Sequence, residues 1–214
     1  MPLIDKIKDD FTEIVVWDVT ETKEELIEYV NLTPRRIAKL ESMPEKQSLE
    51  FLGLRACLME LNSDLDVNYD NKGKPYLDSN HHLSITHSYG KVAVGLSEYK
   101  IGIDIEKQRD EKIINIARKF LREDEIAWIP QDENYAHYLH IIWGLKEGLY
   151  KLNGGNLWNF LNHYRVEPFE LKPYSKITCW ISDETSSRKY FAYYKMIEDY
   201  YLVWVLDYEV KAIN

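Results

Sequence analysis

The 214 residues are enough for one domain or two small ones with a substantial core, and 45% hydrophobic with 29% charged residues is the balance of an ordinary folded chain. A formal charge of −9 argues against general affinity for nucleic acid or anionic membrane, and two isolated cysteines, Cys57 and Cys179, exclude a disulfide framework or a cysteine-rich zinc site. No run approaches the ~18 apolar residues of a membrane span, and the N-terminus lacks a signal peptide's apolar core, so a cytoplasmic location is expected.

Residues 13–20 (EIVVWDVT) read as a first strand. A helix follows over 22–30, with Thr22 and Glu25 at capping-box spacing, then a basic helical turn or two over 33–42 with Pro34 at a favourable first position. Residues 44–62 form a longer amphipathic helix, and 68–78 carry turn chemistry around Gly73 and Pro75. Three strands at hairpin spacing come next, at 82–88, 91–98 and 100–107. Helices at 110–121 and 122–129 lead to a long helix over roughly 132–152, broken by Gly154 and Gly155. YRVEPFEL, KITCWIS and KYFAYYKMIEDYYLVWVLDYE complete the chain as strands and turns. Helix-then-sheet thus occurs twice, with neither a residue-level repeat nor a linker. The expected fold class is α+β, two subdomains packed as one unit, divided at 1–100 and 101–214.

The strand KIGIDIEK poses a chemical question. Side chains alternate along a strand, so Ile101, Ile103 and Ile105 share one face while Gly102, Asp104 and Glu106 share the other. Either that second face is wet, or its two acids converge on something positive. In the long helix, Tyr138, Ile142, Leu145, Leu149 and Leu152 form a narrow apolar stripe, with Trp143, Glu147 and Lys151 on roughly the opposite side. The bland account of Glu147 and Lys151 is a solvated i,i+4 pair, worth a few tenths of a kcal/mol. A tryptophan in the same stripe argues for a packing partner, expected to be the interface between the two halves. If strand and helix meet, Asp104, Glu106 and Glu147 offer three hard oxygen donors, which suit magnesium or manganese better than zinc. Lys151, one turn on, would then reach a phosphate held by the same ion.

GIDIE at 102–106 and WGLKEGLYK at 143–151, with GKPYL at 73–77, LSITHS at 83–88 and RKFLREDE at 118–125, resemble in order and spacing the 4′-phosphopantetheinyl transferase superfamily. The likeness spans about residues 33–152 and is to the longer, two-halved type that modifies many carrier domains. It implies two similar subdomains related by a pseudo-twofold axis, the first on the 3′-phosphate and adenine side of coenzyme A, the second on the metal and pyrophosphate side. It implies transfer of the phosphopantetheine arm of coenzyme A to a serine of an apo acyl or peptidyl carrier protein, releasing 3′,5′-ADP. By the same likeness Asp104, Glu106 and Glu147 hold magnesium, Lys151 touches the pyrophosphate, His87 contacts the 3′-phosphate, and Lys74 lies near the adenine. Basic residues of the first half, Arg36 and Lys46 among them, are candidates for the 3′-phosphate. Thr86 stands where the family has serine, and Gly148 where it has alanine or serine.

The resemblance names Glu147 or Glu125 as the base that takes the serine proton, with Glu147 a ligand first. His81, His82, His137, His140 and His163 match no motif and read as ordinary. Analogy implies a monomer, since two fused halves can build between themselves a cleft that shorter relatives build between subunits. The resemblance implies a carrier that is usually itself acidic, so at −9 docking should rely on an apolar patch rather than on charge steering. Two rival functions use the same residues: a magnesium-dependent phosphohydrolase, and a non-catalytic coenzyme A- or carrier-binding homologue.

Overall fold

The computed structural model describes residues 2–61 and 66–209. Met1, 62–65 and 210–214 lie outside the described residues, and with them the last residue of the helix expected over 44–62. Strands β1 (Leu3–Lys8) and β2 (Thr12–Asp18) open the chain, followed by helices α1 (Lys23–Tyr29), α2 (Pro34–Glu41) and α3 (Glu45–Glu60). A two-stranded ribbon, β3 (Asn68–Tyr69) and β4 (Pro75–Tyr76), precedes β5 (His82–Ser88) and β6 (Lys91–Ser97). Then come β7 (Ile101–Lys107), α4 (Asp110–Ile116), α5 (Glu123–Ile126) and α6 (Tyr135–Leu152). The chain ends on α7 (Phe160–His163), β8 (Tyr164–Val166), β9 (Ile177–Ser182), β10 (Ser187–Ile197) and β11 (Tyr200–Leu206).

The first sheet runs in the order β1-β2-β6-β5 and the second in the order β7-β11-β10-β9-β8, both antiparallel. Period-2 alternation then builds the layers. Along β2, Ile14 and Val16 meet Ile103, Ile105, Leu202 and Trp204 between the sheets, whereas Val15 and Trp17 face Leu52 and Ala56 of α3. Along β11, Leu202 and Trp204 face the first sheet, whereas Val203 and Val205 pack on α6. The order of layers is α3, sheet, sheet, α6. Central strands buried on both faces read as continuous apolar runs, which is why WVL and IVVW lack alternation.

Five expectations are corrected. β1 is a real strand; its three charged residues, Asp5, Lys6 and Lys8, hide the pattern, and Asp5 is paired with Lys195 at 2.6 Å. β7 does not continue the β5–β6 hairpin but crosses to the second sheet and pairs with β11. The helix expected over 122–129 is only the single turn α5, and α6 starts at Tyr135. α3 is not amphipathic in its middle: Phe51 through Leu58 are all buried. Trp143 packs within the second half, 5.2 Å from the Phe120 ring and 5.6 Å from Phe160, not between the halves.

The described halves are also latched by charge. Lys91, 3% exposed, donates to Asp18 at 3.0 Å and lies 2.9 Å from Glu198 of the β10–β11 turn. Burial works against its ammonium, but Glu198 and Asp18 outweigh burial and hold its pKa above the ordinary lysine value. Beside it, Tyr200 donates its hydroxyl to the Tyr89 carbonyl at 2.9 Å. Among the described residues no helix is long and apolar enough to cross a membrane.

Helix α6 lies on the β7–β11 face by an unusually close approach. A Cβ on Gly102 would stand 1.9 Å from the Gly148 carbonyl oxygen, and one on Gly148 would stand 3.0 Å from Val205. Glycine at both positions lets helix backbone meet strand backbone. Gly102→Ala must therefore push α6 off the sheet, and a loss at the upper end of the ~1–3 kcal/mol that overpacking costs is expected in urea melts. Ile114→Ala, at an exposed site, should change the midpoint little.

Candidate active site

β5 and β7 are edge strands of different sheets, and they meet through side chains. The Ile103 amide donates to Ser84 Oγ at 3.0 Å, and the Ile105 amide donates to Thr86 Oγ1 at 3.2 Å. Thr86 in turn donates to Asp104 Oδ1 at 3.0 Å, and Ser88 donates to Glu106 Oε2 at 3.4 Å. The alternation Ser84, Thr86, Ser88 thus answers the alternation that exposes the β7 edge. Threonine at 86 retains the hydroxyl both bonds require.

α6 covers the acid-bearing face of β7. Lys151 Nζ donates to Asp104 Oδ1 at 2.7 Å and to the Ile103 carbonyl at 3.0 Å. Asp104 is 6% exposed, and its Oδ2 is buried without a hydrogen-bond partner. Glu147 is half-buried, not turned to bulk solvent. Its carboxyl is pushed up to about 7, first by burial, then by the charges of Asp104 and Glu106, with Lys151 opposing. Glu106 is also raised, by burial and then by Asp104, while an indole N–H bond from Trp143 and the cations Arg109 and Lys112 pull it down. The three acids therefore feel one another.

They do not form a ready-made cage. Among the described residues no group of three or more His, Cys, Asp or Glu side chains is arranged to hold a metal ion. The Lys151 ammonium sits on Asp104 and partly offsets its charge. The donor chemistry nevertheless fits a hard divalent cation: an orphaned buried carboxylate oxygen on Asp104, and two neighbours whose ionisation it suppresses.

Beside Lys151 opens a cleft of about 220 Å³, lined among others by Lys72, Lys74, Ser84, Tyr150 and Gly154. Lys74 donates to the Leu152 carbonyl at 2.9 Å, and burial lowers its pKa, with Lys100 adding to that. The cleft is cationic in a chain whose net charge is negative.

Other candidates stand elsewhere. His87 is exposed and lies 3.4 Å from Glu50, to which Lys46 also reaches at 3.9 Å, so these two share a neighbourhood. Arg36 is 6% exposed and binds Asp66 at 2.6 Å and the Asn31 carbonyl at 3.1 Å, a buried structural role rather than a surface waiting for phosphate. Glu125 lies deepest of the candidates. It is 1% exposed, accepts from the amides of Arg122 and Val166 at 2.9 Å each, and is paired with the fully buried Lys146 at 2.6 Å. Both oxygens are engaged inside the core, and Glu125 does not line the cleft beside Lys151. Lys146 was missed from sequence; a lysine amid apolar residues one position before Glu147 gave the signal. Its pKa is lowered by burial, with Glu125 opposing.

The family model of the 4′-phosphopantetheinyl transferase superfamily matches residues 100–205. A curated relative, 4′-phosphopantetheinyl transferase gsp of Aneurinibacillus migulanus, is 31% identical over 98 residues, 44% of this chain and 40% of that protein. The match spans less than half the length of that relative.

The raised Glu147 has a measurable consequence in chelator-treated protein. Between about pH 4.5, the reference value, and about 7, the folded protein keeps a proton that the unfolded chain has released. Stability from this group therefore falls as pH rises through that window and is level above it. Glu147→Gln does not titrate. Its advantage over wild type in urea melts should grow from near zero at pH 4 to roughly 3 kcal/mol at pH 8; a constant difference would show that Glu147 carries no such shift.

Proposed function

From a chain whose residues 100–205 match the family model of the 4′-phosphopantetheinyl transferase superfamily, we infer an enzyme of that family that transfers the phosphopantetheine arm of coenzyme A to a serine of an apo carrier protein. The observation that carries this is the cluster in which Thr86, Lys151 and Asp104 meet beside Glu147 and Glu106, next to a cationic cleft. Coenzyme A presents a pyrophosphate and a 3′-phosphate, which a cationic cleft in an otherwise negative protein suits. Asp104, Glu106 and Glu147 would hold magnesium, or manganese. When bound, the ion supplies Lewis acidity at the pyrophosphate.

The chain's own residues divide the remaining work. Lys151, fixed by the Ile103 carbonyl and Asp104, brings positive charge to the phosphate that leaves as 3′,5′-ADP. Glu147 serves as a ligand first and is the nearer candidate to take the serine proton, since both Glu125 oxygens are engaged inside the core. Lys74 borders the cleft on the adenine side, and Lys46 and His87, which share the neighbourhood of Glu50, are the candidates for the 3′-phosphate. Two related subdomains, 1–100 and 101–214, are supported by the layering, since each half lays one sheet on one long helix and the sheets share an isoleucine-rich layer. We take the working form to be a cytoplasmic monomer.

The test is the mass of an apo carrier after incubation with coenzyme A and magnesium. Transfer adds about 340 Da, the mass of the arm, whereas hydrolysis of coenzyme A or mere binding leaves the carrier unchanged. Asp104→Ala should slow the gain at least about 100-fold. Exposed Ile114 and Ile126 give α4 and α5 apolar surface for docking. The Michaelis constant for carrier should accordingly change less than about twofold between 50 and 300 mM salt; a steep rise would indicate steering by charge instead.

A further inference from the structure

His140 matches no motif, yet it sits under the end of the acid-bearing strand. It is 3% exposed on α6, and its ring stacks on Tyr201 at 4.9 Å and 10°. Tyr201 is the residue directly opposite Glu106 in the β7–β11 ladder. His140 Nε2 lies 3.1 Å from the Arg109 amide nitrogen and 3.3 Å from Asp110 Oδ1. Arg109 stands at the N-terminus of α4, where the chain leaves β7. From the other side the Gln108 amide donates to the Asp199 carbonyl at 2.7 Å, so the strand exit is pinned twice.

The Arg109 side chain extends from that pinned backbone to the site. Its guanidinium lies 4.6 Å over the Tyr89 ring, donates to the Tyr89 hydroxyl, and comes within 4.0 Å of Glu106 Oε2. Tyr89 belongs to the β5–β6 turn, so Arg109 joins the edge of the first sheet to a candidate ligand on the second.

We propose that His140 is a positioning residue: its unprotonated Nε2 anchors the Arg109 backbone and thereby holds the Arg109 guanidinium between Glu106 and Tyr89. Its purpose rests on the function proposed above; its geometry does not. A ring nitrogen carries either a lone pair or a proton. With the lone pair Nε2 accepts from the Arg109 amide; with a proton it donates to Asp110 instead, and the two states exclude one another. Burial favours the neutral ring, with Asp110 opposing and His137 and Arg109 adding to burial. Tyr201 covers one ring face, and Glu106, Lys107 and Lys112 line the same small cavity. None of these replaces Nε2 as acceptor for the Arg109 amide.

The test compares wild type with His140→Leu, which cannot accept, and His140→Gln, which accepts but does not titrate. Amide hydrogen exchange of Arg109, read by NMR in metal-free protein, is the primary readout. At pH 7.5 the leucine variant should lose Arg109 protection at least about tenfold and need about tenfold more magnesium for half-maximal carrier modification, while glutamine stays near wild type. On lowering the pH through the range in which the His140 ring, followed by NMR, takes up its proton, wild type should lose protection at Arg109 and the glutamine variant should not. A folded leucine variant with wild-type protection and magnesium dependence overturns the proposal. If that variant does not fold, unchanged Arg109 protection in wild type across the same pH range overturns it instead. Wild type that adds no mass to any carrier defeats the proposed function alone, because Arg109 exchange still decides the role of His140.

Discussion

Two sheet edges that cannot pair by backbone are joined by hydroxyls, and the rest of the molecule is arranged around that seam. An edge strand offers a row of unpaired amides, a liability if buried without partners. Here the Ile103 and Ile105 amides of β7 are satisfied by Ser84 and Thr86 of β5. A direct backbone ladder would have merged the sheets into one surface. Side-chain bridging instead holds the strands a side chain apart. Thr86 then has one oxygen that both accepts from the β7 backbone and donates to Asp104. The seam and the site are the same set of bonds.

Much of this was legible in sequence because the patterns have chemical causes. The alternation in KIGIDIEK correctly separates an isoleucine face from an acid face, and the apolar stripe of the long helix is buried as its spacing requires. The strand's second face turned out to be neither wet nor open: α6 covers it, with glycine at 102 as the precondition. Gly148, which costs up to ~1 kcal/mol in a helix interior, has its explanation in the same contact. No single-segment pattern could show that, because the clash belongs to two segments 46 positions apart (148 against 102).

Charge was the least legible property. Glu125 follows two other acids in a charged helical turn and Glu147 sits in a largely apolar helix, and sequence offered both as bases. Tertiary partners divide them. Glu125 meets Lys146 and two amides and is wholly compensated inside the core, while Glu147 meets two other acids and is left with a carboxyl near 7. A buried ion pair of the first kind is a poor source of net stability, yet costly to break singly. Arg36 follows the same logic: a basic residue in a basic helix is taken up by Asp66. Proton affinity and availability are set by neighbours that sequence order does not reveal.

The Lys91 latch bears on how the molecule could come apart. Its buried ammonium is divided between Asp18 and Glu198, carboxylates from opposite halves that themselves reach solvent. Separating the halves would strip the isoleucine layer of one wall and leave that ammonium with half its countercharge. A fragment ending near residue 100 would thus inherit both an exposed greasy sheet and an under-neutralised cation. The latch and the shared layer tie each half to the other, so neither half is a self-contained module.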